Sequence, residues 1–128
     1  MLIPLTQFDR LVSLEPGSNA TAVRNVPNTL AIFDSHFPRF PVLPGVLILG
    51  TMGSLAARLL AEDTGRTWRL AGANQVGFRH FVQPGDQLEL SVELKERGEE
   101  EAVLSAEARV EGRVVTRARK LRMVPEAP

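Results

Sequence analysis

The sequence predicts an α+β fold in which a curved antiparallel sheet wraps around one long, buried helix. Three observations predict it. The longest apolar segment, residues 45–60, contains no proline and places apolar residues on more than one helical face, as buried helices do. Pro-Gly turns connect extended segments on both sides of it. The last third of the chain alternates apolar and polar residues, which is typical of strands with one buried face.

The first predicted element is a β-hairpin. Residues 8–14 are expected to form a strand, and residues 21–26 return antiparallel to it. Between the two strands, Glu15-Pro16-Gly17-Ser18 places proline and glycine at the central positions of a type II turn. Pro27 and Asn28 then end the hairpin.

A proline-rich loop leads into the central helix. Pro38, Pro41 and Pro44 each fix φ and favour extended geometry in the preceding residue, so His36 is expected to lie on a stiff lead-in. Pro44 suits the first turn of the helix, and Gly65 is the predicted C-terminal stop. A strip of small residues on this helix is expected to admit another backbone or a ligand: Gly50, Gly53, Ser54 and Ala57.

The remainder of the chain is predicted to be β-structure. Residues 67–82 form a long or bent strand in which two glycines mark bulges or close approach of another element, Gly72 and Gly77. Residues 83–86 form a second Pro-Gly turn. An antiparallel meander of three or four strands is expected, with the later ones at residues 88–95, 102–110 and 114–124. The apolar parity slips between Ala118 and Leu121, which predicts a bulge there.

The composition limits the class of protein. The chain has 128 residues, and we expect residues 1–128 to form a single domain. It has no cysteine, which excludes disulfides, thiol catalysis and thiolate metal sites, and we expect no metal. Fifteen basic and 15 acidic residues balance, so a nucleic-acid or other polyanion binder is not expected.

The sequence also predicts a soluble, cytoplasmic protein that does not enter a membrane. The N-terminal residues MLIPLTQFDR lack the charged and long apolar regions of a signal peptide. The longest uninterrupted apolar run, residues 46–49, is far shorter than the roughly 20 residues that span a bilayer. The central helix is too apolar for one sheet to cover, so we expect a dimer to cover the remainder.

The segment around the central helix resembles the HFPGHPxxPGVLILE motif of the 3-hydroxyacyl-[acyl carrier protein] dehydratases of the FabZ and FabA type. Here the motif consists of His36-Phe37-Pro38, Pro41 and residues 44–49. Four further stretches are similar to that family: Phe8-Asp9-Arg10 with Glu15-Pro16-Gly17, Leu70-Ala71-Gly72, Phe78, and Pro84-Gly85-Asp86-Gln87. The resemblance covers residues 8–124. It implies a hotdog fold, a homodimer that pairs two sheets edge to edge, and further assembly into trimers of dimers.

The resemblance also implies a substrate, a pathway and a site. The substrate is a 3-hydroxyacyl thioester of acyl carrier protein or CoA in fatty acid and lipid biosynthesis, and no cofactor is expected. His36 is the expected base, and the Gly45 amide at the helix N-terminus is the expected donor to the thioester oxygen. The acyl chain lies in a tunnel at the dimer interface, and the expected substrate-binding residues are Phe37, Pro44, Val46, Gly50 and Phe78.

One position departs from the family pattern. The family places a catalytic carboxylate 14 residues after the histidine and contributes it across the dimer, but this chain has Gly50 there. The family's nearby glutamine is replaced by Ser54. Three residues are candidates for a substitute acid: Ser54 by holding a water, Asp34 by its closeness to His36 in sequence, and His80 if the sheet brings it near. One general acid typically contributes about 10²–10⁴-fold in rate.

Three functions therefore remain open. The first is a dehydratase with an unconventional acid or with an acid supplied by a partner. The second is a catalytically impaired acyl-thioester-binding protein or a partner subunit of an active paralogue. The third is a hotdog thioesterase, although such enzymes also need a carboxylate near the helix.

Basic residues of the last strand are interpreted either as a solvated edge or as a docking patch for a carrier protein or a CoA phosphate: Arg113, Arg117, Arg119, Lys120 and Arg122.

Overall fold

A computed structural model describes residues 6–27 and 42–127 of the chain. Within these residues it contains one helix and six strands. Their bounds are β1 (Arg10–Glu15), β2 (Asn19–Asn25), α1 (Gly45–Thr64), β3 (Trp68–Phe78), β4 (Gln87–Arg97), β5 (Ala102–Val110) and β6 (Arg113–Pro125). The predicted α+β class is confirmed.

The six strands form one antiparallel sheet in the order β1-β2-β4-β5-β6-β3. The predicted hairpin is β1 and β2, and the predicted meander is β4, β5 and β6. However, β3 pairs with β6 at the far edge and is not a neighbour of β4. The chain reaches that edge because α1, which lies between β2 and β3 in sequence, packs across the sheet against β2, β3, β4, β5 and β6.

Both Pro-Gly turns form as predicted. Gly17 and Gly85 have φ values of 77° and 94°, which only glycine adopts without strain. The amide of Ser18 donates to the Glu15 carbonyl at 3.0 Å, and the amide of Asp86 donates to the Gln83 carbonyl at 3.1 Å. The first turn lies between the end of β1 and the start of β2, and the second directly precedes β4.

Two of the three predicted bulges are confirmed. The register of β3 against β6 shifts between Leu70 and Gly72. In β6, residues 119 and 120 lie opposite one residue of β5, since the pairing passes from Ala106–Ala118 to Leu104–Leu121. The predicted bulge at Gly77 was wrong, because the register is continuous there, and a Cβ atom would meet no described atom within 4 Å.

The helix begins and ends at the residues that its terminal signals indicate, to within one position. The sequence predicted Pro44 within the first helical turn. In the structure Pro44 is instead the N-cap residue, with φ −57° and ψ 138°, and the helix begins one residue later at Gly45. Gly65 ends the helix in a left-handed conformation, and its amide donates to the Ala61 carbonyl at 2.8 Å. The strand after it stops at Phe78, so the predicted extension of that strand to residue 82 was wrong.

The core lies between α1 and the inner face of the sheet. The helix has 20 residues, and its most apolar stretch of 18 residues has mean hydropathy 1.4, so by length and composition alone it is apolar enough to cross a membrane. Its buried side is instead covered by the sheet: Ile48, Thr51, Met52, Gly53, Leu55, Ala56, Leu59 and Leu60. These residues pack against inward-facing residues of the strands, such as Leu90, Leu104 and Leu121. The helix is therefore the core helix of this domain.

On the outer face of the sheet, Glu107 joins two arginines. It accepts hydrogen bonds from Arg117 at 2.7 and 3.0 Å and from Arg109 at 3.0 and 3.2 Å. Partial burial raises the pKa of the Glu107 carboxyl, but the hydrogen bonds and charges of the two arginines outweigh this effect and hold the pKa below its ordinary value. The carboxylate thus ties β5 to β6.

The Glu107 network predicts a pH-dependent contribution to stability. A carboxyl whose pKa is lower in the folded state stabilises the fold above its unfolded pKa of about 4.3 and loses that contribution as the pH falls through the folded pKa. Glu107→Gln is therefore expected to lower the free energy of unfolding by roughly 0.5–1 kcal/mol at pH 7. The difference from wild type should shrink below about pH 4.

Urea denaturation at several pH values measures this difference. Glu101→Gln is the matched control, because Glu101 makes one exposed ion pair of 3.3 Å with Arg122. If the loss of unfolding free energy in Glu107→Gln stays constant down to the pH at which the protein unfolds in acid, the carboxylate charge contributes nothing to stability.

Candidate functional site

The N-terminus of α1 opens onto an apolar cavity. Among residues 6–27 and 42–127 no side chain caps the helix, and its first turn contains no acidic residue. The first amides of a helix have no acceptor within the helix, so they can donate to a ligand at this end. The cavity has a volume of about 400 Å³ and is lined by Val42, Leu43, Pro44, Gly45, Val46, Ile48, Phe78, His80, Phe81 and Val82. Its size and apolar lining are typical of a small-molecule site.

The structure brings five of the predicted site residues together at this cavity: Pro44, Gly45, Val46, Phe78 and His80. Gly45 is needed for this arrangement. A Cβ atom on Gly45 would lie 2.5–3.0 Å from the ring of Phe78, which packs over the start of the helix. Val46 and Phe78 remain 71% and 54% exposed, so apolar surface is available beside the helix N-terminus.

Gly50 and Ser54 do not line this cavity. They lie one turn apart on α1 and contact Thr6, at the beginning of the described chain. The Ser54 hydroxyl donates to the Thr6 carbonyl oxygen at 2.8 Å and to the Gly50 carbonyl oxygen at 3.2 Å. A Cβ atom on Gly50 would overlap the Thr6 methyl group. Gly50 and Ser54 therefore seat the N-terminal segment, and the Ser54 proton is used in doing so. Gly53 instead faces Leu70 of β3.

Three predicted site residues, Asp34, His36 and Phe37, lie outside the described residues. Their roles as acid or orienting group, base and substrate contact stay predictions. His80, the second histidine, is described and lines two cavities. Besides the apolar cavity it borders a polar one of about 460 Å³ together with Asp86, Glu111 and Arg113.

Arg24 is a buried cation that the sequence analysis missed. It is 4% exposed and donates to the Thr51 hydroxyl on α1 at 2.6 Å, while Thr51 donates to the Leu47 carbonyl at 2.8 Å. Burial lowers the pKa of the Arg24 guanidinium, and the charge of Asp9 offsets part of this effect. Strand parity could have found it, because Arg24 continues the inward-facing positions of Ala20 and Ala22.

A second buried polar group lies beside the cavity. Thr116 is fully buried on β6, and its hydroxyl has no hydrogen-bond partner in the part of the chain that the structure describes. Thr116 is directly opposite Phe78 in the pairing of β3 with β6. No feature of the sequence distinguishes this threonine from a solvent-facing one, because its burial depends on the neighbouring strands.

The basic residues of β6 divide into two groups. Arg117 pairs with Glu107 at 2.7 Å, and Arg122 pairs with Glu101 at 3.3 Å. The Arg117 pair joins β5 to β6, and the Arg122 pair joins β6 to the residue just before β5, which the sequence did not show. The exposed cations Arg113, Arg119 and Lys120 remain for the docking patch that the sequence suggested.

Comparison with known proteins gives a family for this arrangement. The profile of the ApeI-like family, described as ApeI dehydratase, matches residues 13–117. The chain is 42% identical over 112 residues to the 3-hydroxyacyl-[acyl-carrier-protein] dehydratase FabZ of Latilactobacillus sakei subsp. sakei (strain 23K), covering 85% of this chain and 80% of that protein. It is 39% identical over 121 residues to the enzyme of the same name from Nitrosomonas europaea (strain ATCC 19718 / CIP 103999 / KCTC 2705 / NBRC 14298), covering 90% and 79%.

Solved structures share the fold at low sequence identity. The dehydratase heterocomplex ApeI:P from Xenorhabdus doucetiae matches with a TM-score of 0.75 at 14% identity, covering 99% of this chain and 87% of that one. The protein smu.793 from Streptococcus mutans UA159, bound to acetyl CoA, matches with a TM-score of 0.75 at 15% identity, covering 98% and 94%. These matches confirm the predicted hotdog fold.

Proposed function

Because this chain belongs to the FabZ-like family of hotdog dehydratases, we propose that it removes water from 3-hydroxyacyl thioesters. In this reaction His36 takes the proton from C2, the C3–O bond breaks, and a C2–C3 double bond forms. The departing hydroxyl takes up a proton and leaves as water. The negative charge that develops on the thioester oxygen is stabilised by the Gly45 amide.

The observation that carries this proposal is the apolar cavity at the N-terminus of α1, where no described side chain caps the helix. An acyl thioester needs an apolar wall for its chain and fixed donors for its carbonyl oxygen. Phe78, Val46 and Ile48 supply the wall, and the Gly45 amide supplies the donor. Backbone donors at a helix N-terminus are held in place before the substrate arrives, so they need no reorganisation during the reaction.

The proton for the departing hydroxyl needs a source other than position 50. Ser54 is a weak candidate because its hydroxyl already donates to Thr6 and Gly50. His80 lines the same cavity as Gly45 and is the candidate that the geometry favours within the described chain. Asp34 remains a candidate by its position two residues before His36. A carboxylate from a partner subunit is the remaining source.

The partner-subunit function is favoured by a specific observation. Among the described residues that line the apolar cavity none is an aspartate or glutamate. The family resemblance places base and acid on different protomers, so His36 in a mixed dimer would act with the carboxylate of an active paralogue. In that dimer only one of the two half-sites would hold both groups.

We also propose that the protein is cytoplasmic and that it forms a dimer. The dimer would form through the free edge of β3. That strand is at the edge of the sheet, and its second edge has no partner strand in the described chain. Its 11 residues, WRLAGANQVGF, include a single charge at Arg69, and long edge strands with few charges readily accept another strand. Such a dimer would pair two β3 strands. Assembly into trimers of dimers stays a further proposal.

Hydration of crotonyl thioesters, the reverse reaction, tests the proposed activity. Purified protein is mixed with crotonyl-CoA or crotonyl-acyl carrier protein, and the loss of the enoyl absorbance is followed. Turnover by the protein alone is expected if this chain supplies its own acid. Turnover only after co-purification with a paralogue that carries the carboxylate supports the partner-subunit function, and turnover in neither preparation contradicts both.

A further inference from the structure

Arg24 on β2 carries a positive charge that is buried against α1. The residue is 4% exposed, and its guanidinium donates to the Thr51 hydroxyl at 2.6 Å. Among the described residues it forms no ion pair. Asp9 is the carboxylate whose charge acts on it, and Asp9 itself is exposed. The cation is therefore buried without an adjacent counter-charge in the described chain.

The burial of this charge costs stability. A cation loses its hydration when it enters the protein interior, and a hydrogen bond to a neutral hydroxyl restores only part of the loss. The pKa of the Arg24 guanidinium is accordingly lowered, with burial as the largest cause. An apolar side chain of similar length would fill the same place at a lower cost. The stability of the fold thus does not explain why a cation lies here.

A path of hydrogen bonds connects Arg24 to the N-terminus of α1. Thr51, which accepts from Arg24, donates to the Leu47 carbonyl oxygen at 2.8 Å. The Leu47 amide in turn donates to the Pro44 carbonyl oxygen at 3.0 Å. That carbonyl and the Gly45 amide belong to one planar peptide group. The path therefore ends at the amide that is proposed to donate to the thioester oxygen.

The path affects the Gly45 amide in two ways. It fixes the orientation of the Pro44–Gly45 peptide group before a ligand arrives, because the carbonyl of that group is held from within the helix. It also polarises the group, since hydrogen bonds in a chain strengthen one another and a peptide group whose carbonyl accepts a bond donates more strongly through its N–H. The charge of Arg24 adds to the positive potential at this end of the helix, because Thr51 is only about 9 Å from Gly45 along the helix axis.

We propose that Arg24 is a positioning residue for the Gly45 amide and that its buried charge strengthens the hydrogen bond from this amide to the thioester oxygen. This inference rests on the proposed function, because it concerns the oxygen that gains negative charge in that reaction. At an effective dielectric constant of about 20, a unit charge about 10 Å from that oxygen accounts for roughly a 10-fold change in rate. Arg24 acts through Thr51 and Leu47 and needs no contact with the substrate.

The test compares wild type, Arg24→Met and Arg24→Lys in the hydration of a crotonyl thioester, in the preparation in which wild type turns over. Arg24→Met keeps the length of the side chain and removes its charge, so kcat should fall about 10-fold with little change in KM. Arg24→Lys keeps the charge and a donor for Thr51, so it should retain roughly a third or more of the wild-type kcat. In urea denaturation Arg24→Met should be at least as stable as wild type, because it removes a buried charge and leaves none unpaired.

A spectroscopic measurement reports the hydrogen bond to the thioester oxygen without turnover. The carbonyl stretching band of bound crotonyl-CoA, labelled with ¹³C at the carbonyl, is followed by infrared difference spectroscopy. Wild type and Arg24→Lys are expected to shift the band to lower frequency than in the free ligand, and Arg24→Met should shift it less. Arg10→Met is the matched control, because Arg10 is an exposed arginine on the neighbouring strand β1, opposite Val23. It should match wild type in both measurements.

The outcomes separate the inference from the proposed function. An unchanged kcat or an unchanged carbonyl band in Arg24→Met would overturn the inference and leave the proposed function intact. A parallel loss of kcat and of unfolding free energy in both Arg24 variants would show that Arg24 only supports the fold, which also overturns the inference. Absence of turnover by wild type, both alone and with a paralogue that carries the carboxylate, would overturn the proposed function and the inference with it.

Discussion

Replacement of His36 by alanine is expected to lower the rate of crotonyl thioester hydration by about 10²–10⁴-fold, the range typical for loss of a general base. His36 begins the motif shared with the dehydratases, and histidine is the side chain most often used for proton transfer at neutral pH. The effect should fall on kcat, because the imidazole acts in the transition state and contributes little to ground-state binding.

His80→Ala is the companion variant, since the chain has two histidines and His80 is a candidate for the acid. If His36 is the base and His80 the acid, both variants lose activity, and the pH profile of His80→Ala loses the limb at which an acid deprotonates. If the acid comes from a partner, His80→Ala retains nearly wild-type activity. Full activity of His36→Ala would rule out His36 as the base.

Leu59→Ala is expected to lower the free energy of unfolding by about 2–5 kcal/mol. Leu59 is fully buried on α1, within the cluster that includes Leu104, Leu121 and Met123. Removal of its side chain both loses apolar burial and leaves a cavity, because the sheet on one side of the helix cannot collapse onto it. A loss of this size is a large part of the stability of a single domain.

The loss is measured by urea denaturation with the fluorescence of Trp68, the single tryptophan, which is 3% exposed. Arg58→Ala is the control on the same helix. Arg58 is exposed and makes only a 3.3 Å pair with Glu62 among the described residues, so its replacement should cost about 0.5 kcal/mol or less. A similar loss in both variants would show that α1 is not the centre of the core.

The fold was predictable to the extent that it depends on local patterns. Pro16-Gly17 and Pro84-Gly85 specify their turns through fixed φ in proline and positive φ in glycine. The alternation in residues 102–110 produced a strand with those bounds. The partners of β3 were not predictable, because its neighbour in the sheet depends on the path of α1 and not on the sequence of β3 itself.

The candidate site divides in the same way. Pro44, Gly45 and Val46 were identifiable from the motif, and Phe78 and His80 were identifiable as positions of a family pattern. Their meeting at one cavity depends on the pairing of β3 with β6 and on the packing of Phe78 over Gly45. Arg24 gave a signal only through strand parity, and Thr6 gave none.

The sequence by itself determined the order of the elements, the turns between them and the family to which they belong, since each depends on residues close together in the chain. Only the tertiary structure decided that Thr6 lies over Gly50, 44 positions apart in the numbering, and that Ser54 holds it there. When the motif is considered alone, Gly50 indicates only that the family's catalytic carboxylate has been lost. In the folded chain the Thr6 side chain lies beside this glycine, because contacts between distant segments depend on how the whole domain packs.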